Sequence, residues 1–161
     1  MIFIGMFIFL TLKNLKRKIY VFAERKDKMS ERKPIVVLIL GGIGVGKSSL
    51  MEILKEHIQF DDDSYLYGWC PEPIDVWTNF GAQEENMLLE MYKRPEIHGF
   101  EFQLIAAGTK NEQLKDLKPV SIIERSFCCQ QSVFVPLLYE TGCLTARQKT
   151  ILDMILDRKG G

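Results

Sequence analysis

Three short stretches of the chain have the apolar pattern of buried strands. Six consecutive apolar residues, Ile-Val-Val-Leu-Ile-Leu at 35–40, several of them β-branched, stand between Pro34 and Gly41. Such a run predicts a strand that is covered on both faces, as in a parallel sheet. The compact run Val-Ser-Ile-Ile at 120–123 predicts a second strand of this kind, and residues 65–70 predict a third.

Helical periodicity separates these strands. Residues 47–58 place Leu50, Ile53, Leu54 and Ile58 at the spacing of one helix face. The same reasoning predicts further helices over 84–93, 100–117, 126–139 (bent or ended by Pro136) and 145–156, with Gly142 as a helix stop. Strands that alternate with helices predict an α/β fold with a parallel sheet flanked by helices.

The N-terminal segment does not fit this pattern. Residues 1–12 are almost wholly apolar, but about 20 such residues are needed to cross a bilayer, so we expect no stable membrane span. The basic residues follow this run, whereas in a secretory signal they precede it. A weak anchor, an atypical targeting segment, or upstream sequence that the working protein lacks all remain possible, and an alternative start at Met29 favours the last. We therefore divide the chain into an extension or linker, 1–33, and a single domain, 34–161.

Composition narrows the classes of function only a little. Basic and acidic residues balance at 21 each, which gives no indication of a nucleic-acid partner. The four cysteines show no C-x-x-C spacing and only two histidines could assist them, so a zinc site is not expected. Reduced thiols are typical of an intracellular protein, and we predict a cytoplasmic location, with a mitochondrial one as the alternative.

The first predicted strand leads into a phosphate-binding loop. Residues 41–48, Gly-Gly-Ile-Gly-Val-Gly-Lys-Ser, fit G-x-x-x-x-G-K-[ST] at every fixed position. Glycines allow the backbone N–H groups to face phosphate oxygens, Lys47 can reach the β- and γ-phosphates of ATP, and the Ser48 hydroxyl can bind Mg²⁺. The predicted ATP-binding residues are Gly41, Gly42, Ile43, Gly44, Val45, Gly46, Lys47, Ser48 and Ser49. GTPases, ATPase motors and metabolite kinases share this loop, so the loop alone leaves the reaction open.

Polar residues follow the other two predicted strands. Glu72 stands between two prolines, which suits a positioned general base. Glu124 and Arg125 end the strand at 120–123, and in parallel sheets ligands bind at that end. Glu124 could hold Mg²⁺ through water, and Arg125 could stabilise the transferring phosphoryl group. Trp77 could stack on a planar ring and Gln103 could bond a base edge. Each of these features also has a purely structural interpretation. The prolines around Glu72 could form a rigid loop, Trp77 could be a core residue and Gln103 a surface residue. Glu124 and Arg125 could form a surface ion pair.

Taken together, these residues resemble the deoxynucleoside kinase family. The resemblance rests on the phosphate loop at 41–48, Glu-Pro-Ile-Asp-Val-Trp at 72–77, Leu-Leu-Glu-Met-Tyr at 88–92, Phe102-Gln103 and Glu-Arg-Ser at 124–126. These motifs occur in the family order, with close to the family's spacing, from about residue 34 to about residue 156.

The resemblance implies a P-loop kinase fold that transfers the γ-phosphoryl group of ATP, with Mg²⁺, to the 5′-hydroxyl of a deoxynucleoside. It implies that Glu72 is the base, that Arg125 steadies it, and that Glu124 is the acid associated with Mg²⁺. Trp77 and Gln103 would contact the base and Tyr92 the 3′-hydroxyl. The family usually forms homodimers through helices, which is carried over in the same way.

The chain also departs from the family pattern. The two positions that set base preference fall near Lys110 and Gln130, which are not the family's usual residues. The family continues with a further strand and an arginine-rich lid, so we expect the domain to be truncated and the sheet incomplete at the C-terminus. Two alternatives stay open: another P-loop nucleotide kinase, such as a nucleoside monophosphate kinase, and a non-catalytic nucleotide-binding fragment.

Overall fold

The structure is a computed structural model, and it describes residues 8–10, 19–24, 35–57 and 67–157. The chain forms two compact units. The first unit comprises Met1–Glu72 and Asp116–Arg125, and the second comprises Pro73–Lys115 and Ser126–Gly161. The two units are described in turn.

The first unit contains a five-stranded sheet in the order β1-β2-β3-β5-β4. Its strands are β1 (Ile8–Leu10), β2 (Ile19–Glu24), β3 (Ile35–Leu40), β4 (Tyr67–Cys70) and β5 (Val120–Glu124). β5 pairs in parallel with β3 on one side and with β4 on the other. This parallel core confirms the predicted α/β class. Ile39 stands opposite Glu124 and Cys70 opposite Ile123, so the three strands end at nearly the same level.

Helix α1 (Lys47–His57) follows β3 and shares a core with the sheet. Ile39, Met51 and Ile122 are buried together, and Val37, Val45, Leu50, Leu54 and Trp69 pack around them. The amphipathic spacing of α1 therefore covers the apolar run that precedes the loop. The predicted helix end at Ile58 and the predicted strand start at Tyr65 lie outside the described residues.

Two strands were not predicted. β2 pairs with β3 in antiparallel fashion, with Phe22 opposite Leu38, and β1 pairs with β2. Both lie in the segment that the sequence interpretation assigned to an extension or linker, and that boundary stays a prediction. Met29 and the charged residues 25–33 lie outside the described residues. Among the residues that are described, no helix is both long and apolar enough to cross a membrane.

The second unit is helical. It contains α2 (Ile74–Thr78), α3 (Met87–Lys93), α4 (Pro95–Lys115), α5 (Phe127–Cys129), a π-helical segment (Gln130–Phe134), α6 (Val135–Glu140) and α7 (Ala146–Asp157). Its apolar side chains form two clusters, both of which include residues of α4. One cluster buries Trp77, Met87 and Phe102. The other buries Ala107, Phe127, Val135, Leu144, Leu152 and Leu156.

Two helices, α3 and α4, begin at residues other than the predicted ones, and each difference has a local cause. α3 begins at Met87 rather than Glu84 because the Asn86 side chain caps it, accepting the Leu89 N–H at 2.9 Å. Glu84 itself has φ +54°, which no helix residue adopts. α4 begins at Pro95 rather than Phe100, because proline is well tolerated at the first helical position, where its missing N–H costs nothing.

The predictions for the C-terminal helices were confirmed in outline. The helix after β5 is interrupted by the π-helical segment, and Pro136 follows that segment in the first turn of α6. Gly142 has φ +76° beyond the end of α6, as a helix stop requires. α7 begins after Thr145, whose N–H donates to the Gln148 Oε1 at 2.8 Å while the Gln148 N–H donates to the Thr145 hydroxyl at 3.2 Å. This reciprocal pair is a capping box.

Removing residues 1–28 should leave the β2-facing edge of β3 unpaired. We expect the shortened chain to exchange the amide protons of Ile35–Leu40 faster and to self-associate, because an unpaired edge strand is a template for other strands. Hydrogen exchange and light scattering of both chain lengths would measure this. A shortened chain that remains monomeric with equal protection of β3 would contradict it.

Candidate functional site

The phosphate loop has the backbone geometry that its sequence predicts. Gly44 and Gly46 have φ +69° and +94°, a region that L side chains rarely adopt. The loop then enters α1 directly, and the Leu50 N–H donates to the Gly46 carbonyl oxygen at 2.9 Å in the first helical turn. A glycine-rich turn at a helix N-terminus directs main-chain N–H groups toward a bound anion.

Three polar side chains meet beside this loop. The Ser48 hydroxyl donates to the Glu124 carboxylate, at 3.0 Å to Oε1 and 3.1 Å to Oε2. Lys47 Nζ lies 3.9 Å from the Glu124 Oε1 and donates to the Gly42 carbonyl oxygen at 2.7 Å. Lys47 and Glu124 are only 4% and 2% exposed. Charges buried this deeply carry a large desolvation penalty, which their mutual attraction and their hydrogen bonds offset.

Glu72 and Arg125 form a second polar pair. Arg125 Nη1 donates to both carboxylate oxygens of Glu72, at 2.8 Å and 3.0 Å, and each side chain is 13% exposed. Glu72 comes directly after β4 and its flanking Pro71, and Arg125 comes directly after β5. The predicted base and the predicted arginine are therefore in direct contact, as the sequence interpretation required.

The backbone of Arg125 lies in the left-handed region. Its φ is +56°, which is rare for a residue that is not glycine, asparagine or aspartate. Its N–H continues the sheet pairing by donating to the Ile39 carbonyl oxygen at 3.1 Å. The reversal of φ occurs just after Glu124, so two consecutive residues serve different partners: Glu124 meets Ser48 and Lys47, and Arg125 meets Glu72. Strain of this kind accumulates at functional sites.

The second unit holds the remaining predicted site residues. The indole N–H of Trp77 donates to the Thr109 hydroxyl at 3.0 Å, and the indole meets the Phe102 ring edge-on, with centroids 5.3 Å apart. Trp77 is thus anchored in the core of this unit, on the short helix α2 that the sequence did not predict.

Gln103 and Tyr92 differ sharply in their surroundings. Gln103 is 4% exposed on α4, so the alternative of a surface glutamine is wrong. Tyr92 is 55% exposed on α3. Glu90 lies on the same helix, and the hydrogen bonds that its carboxylate accepts from Lys93 and from Arg94 lower its pKa. The contacts of Trp77, Gln103 and Tyr92 with a substrate stay predictions.

Two residues that contact Trp77 and Gln103 were not recognised in that role. Thr109 receives the indole N–H of Trp77, and Gln130 donates to the main-chain oxygen of Gln103 at 2.6 Å. Neither contact has a local signature, because each joins residues 27 or 32 positions apart. The family resemblance puts two base-pocket positions near Lys110 and Gln130, and both of these residues are buried in the second unit.

Comparison with known proteins bears directly on this arrangement. The family model for deoxynucleoside kinases matches residues 37–159, which is most of the chain. The chain belongs to the deoxynucleoside kinase family. With the parallel sheet and the phosphate loop, this confirms the P-loop kinase fold expected from the sequence.

Individual relatives are consistent with this membership. Deoxycytidine kinases of mouse and human are 32% and 31% identical over 137 residues, which cover 71% of this chain and 50% of each relative. A putative kinase protein of invertebrate iridescent virus 3 is 29% identical over 124 residues, covering 76% of this chain and 56% of the relative. The chain thus spans about half the length of the curated relatives it matches.

The strain at Arg125 can be measured with a pair of substitutions that both remove the ion pair. We expect Arg125→Gly to be more stable than Arg125→Ala by about 1 kcal/mol in chemical denaturation, because glycine alone adopts positive φ without steric cost. The same pair at Arg94, where φ is −139°, should show no such preference for glycine. Equal stabilities of Arg125→Gly and Arg125→Ala would contradict the strained, left-handed conformation of Arg125.

The anchoring of Trp77 can be tested by removing its partner. Thr109→Val keeps the shape but leaves a buried indole N–H unpaired, and we expect it to lower the free energy of unfolding by roughly 1–3 kcal/mol. Thr150→Val is a matched control, because the Thr150 hydroxyl donates to the Ala146 carbonyl oxygen and is exposed. In a Trp77→Phe background, most of the Thr109→Val penalty should vanish; a penalty that persists would contradict the contact's importance.

Proposed function

We propose that this chain is part of a deoxynucleoside kinase, which transfers the γ-phosphoryl group of ATP to the 5′-hydroxyl of a deoxynucleoside. One observation carries the proposal. Glu124 contacts Ser48 and Lys47 of the phosphate loop, while the next residue, Arg125, contacts Glu72. The residues proposed to bind the phosphoryl donor and the residues proposed to activate the acceptor therefore lie at the same edge of one parallel sheet, where its strands end. Membership of the deoxynucleoside kinase family supports the same conclusion.

The donor side fits ATP with Mg²⁺. Glycines and the N-terminus of α1 suit the phosphates, and the buried ammonium of Lys47 suits their negative charge. The Ser48 hydroxyl and the Glu124 carboxylate are hard oxygen ligands of the kind that Mg²⁺ prefers. Within the described residues, no three His, Cys, Asp or Glu side chains cluster as a metal site. Mg²⁺ would therefore take most of its ligands from phosphate oxygens and water, and would neutralise charge on the phosphates.

The acceptor side fits a neutral hydroxyl group. In the proposed reaction the Glu72 carboxylate takes the proton of the 5′-hydroxyl group, and the oxygen of that hydroxyl group forms a bond to the γ-phosphorus of ATP. The bond from that phosphorus to the bridging oxygen breaks, and ADP leaves. Arg125 holds Glu72 through both carboxylate oxygens and brings positive charge to the transferring group. A monophosphate acceptor would favour a cation, rather than Glu72, at this position.

Recognition of the nucleoside is proposed from the family resemblance. Trp77 would contribute its ring face, since its N–H is bonded to Thr109. Gln103 would hydrogen-bond the base, and Tyr92 would contact the 3′-hydroxyl. The curated mammalian relatives are named deoxycytidine kinases, but Lys110 and Gln130 differ from the family's usual base-pocket residues, so we assign no base. Assembly as a homodimer is proposed on the same resemblance.

The proposal can be tested with Glu72→Gln. We expect this change to lower deoxynucleoside-dependent ATP turnover by roughly 10²–10⁴-fold while ATP affinity is kept, because only the proton acceptor is lost. Glu112→Gln, at an exposed glutamate paired with Lys115, is the control and should leave turnover unchanged. Turnover with each deoxynucleoside and monophosphate, and ATP binding by calorimetry, would be measured.

Each outcome separates the candidate functions. Turnover that depends on a deoxynucleoside and is lost in Glu72→Gln supports the kinase. Turnover that depends on a nucleoside monophosphate favours the alternative nucleotide kinase. ATP binding without turnover by the chain favours a nucleotide-binding fragment. Full activity of Glu72→Gln would remove Glu72 from its proposed role.

A further inference from the structure

Arg94 is the single residue between helices α3 and α4. Its N–H donates to the Glu90 carbonyl oxygen at 2.9 Å and closes α3. Its own carbonyl oxygen accepts the N–H groups of Ile97 and His98, at 3.0 Å each, in the first turn of α4. Hinges in proteins are often one or a few residues of this kind, at the end of an element. The angle between α3 and α4 therefore depends on what holds Arg94.

The Arg94 side chain joins the two helices. Its Nη2 donates to the Glu90 Oε2 of α3 at 3.1 Å and lies 3.2 Å from the His98 Nε2 of α4. The His98 ring, whose side chain is only 19% exposed, is bonded in turn through Nδ1 to the Glu101 Oε2 at 3.2 Å. Glu90, Arg94, His98 and Glu101 thus form a continuous chain of hydrogen bonds across the joint, which we call the α3–α4 brace.

The partners of His98 fix where its proton lies. A guanidinium group has donors and no acceptor, so the His98 Nε2 must accept from Arg94 and carries no proton. The other ring nitrogen, Nδ1, then carries the proton and donates to the Glu101 carboxylate. A second proton would add an N–H at Nε2 and place two cations 3.2 Å apart. The complete brace therefore requires a neutral His98.

His98 is the group of the brace that changes charge near neutral pH. Histidine titrates between about pH 5 and pH 8, whereas carboxylates titrate at lower pH and arginine stays charged. The hydrogen bonds that Glu90 accepts from Lys93 and from Arg94 lower its pKa, so its carboxylate stays anionic over this range. The attachment of Arg94 to α3 therefore persists while its attachment to α4 depends on pH.

The surroundings of the ring add no further charge to this balance. Within the described ranges, Arg94 and Glu101 are the hydrogen-bond and ion-pair partners of the His98 ring, and no group of α2, α6 or α7 is added to them. Helix α6 approaches the next residue of α4, Gly99, with the apolar side chain of Leu138. Protonation of His98 thus acts on one repulsive and one attractive neighbour.

We propose that Arg94 and His98 are positioning residues, and that protonation of His98 breaks their contact and releases α3 from the brace. Tyr92 stands on α3 two residues before Arg94. The consequence for substrate binding rests on the proposed function and deepens it: a deoxynucleoside should bind less tightly as the pH falls and His98 gains its proton. Because exposed ion pairs contribute little individually, the change is graded rather than complete.

The test compares the whole parent chain with His98→Gln across pH. A carboxamide can accept from Arg94 and donate to Glu101 at every pH, so this variant keeps the brace without the titration. We expect the deoxynucleoside KM of the parent, relative to that of His98→Gln, to rise from about 1 at about pH 8 to about 3 at about pH 5.5. The corresponding ratio for ATP should stay near 1. Ionisation of Glu72 and of ATP cancels, because it is common to both chains.

His57→Gln is the matched control. His57 is the other histidine of the sequence, and its exposed ring lies at the end of α1, with Nδ1 at 2.8 Å from the Ile53 carbonyl oxygen. His57→Gln should keep the pH profile of the parent chain. A deoxynucleoside KM whose pH dependence is the same in the parent and in His98→Gln, or that changes equally in both variants, overturns the proposal.

Nitrogen NMR of the imidazole rings keeps this inference separate from the proposed function. His57→Gln assigns the two histidine signals, and at about pH 8 we expect the His98 proton on Nδ1. The amide signals of residues 90–94 should follow the titration of His98 in the parent chain but not in His98→Gln. A parent chain that does not phosphorylate deoxynucleosides would contradict the proposed function and leave this readout intact. A proton on Nε2, or amide signals that do not follow His98, overturns the brace.

Discussion

The parallel pairing of β3 with β5 is the constraint on which the candidate site depends. It places Ile39 opposite Glu124, so the residues after both strands leave the sheet at one edge. Glu124 can then accept a hydrogen bond from Ser48, although the two residues are 76 positions apart in the chain. A one-residue shift of this register would turn the Glu124 side chain to the other face of the sheet and separate it from the phosphate loop.

The geometry at this edge of the sheet explains why the neighbouring residues Glu124 and Arg125 have different partners. In a regular strand, consecutive side chains point to opposite faces, so Glu124 and Arg125 could not both serve this edge by simple extension of β5. The left-handed backbone at Arg125 ends that alternation, while its N–H stays paired with Ile39. The strain therefore has an identifiable use: it directs a guanidinium to Glu72 immediately after a carboxylate has been directed to Ser48.

The parts that sequence could predict were those with local causes. The strand at 35–40, the glycine-rich loop and the amphipathic spacing of α1 each follow from neighbouring residues. The loop motif also singled out Lys47 and Ser48, which lie beside Glu124 in the structure. Pairing of β2 with β3 could not be predicted, because it depends on a partner that the β2 sequence does not specify. The hydrogen bond from Gln130 to Gln103 could not be predicted, for the same reason. The left-handed φ of Arg125 could not be predicted either, because this residue is neither glycine nor asparagine, the types that usually adopt such a conformation.

The placement of the two tryptophans has a practical consequence. The sequence contains Trp69 and Trp77 and no others. Trp69 packs in the sheet core of the first unit, and Trp77 is buried in the helical core of the second. Each unit thus carries its own intrinsic fluorophore, and replacing either indole with phenylalanine leaves a chain whose emission follows one unit alone. Loss of order in the sheet and in the helices can then be followed as separate optical transitions, without an attached dye.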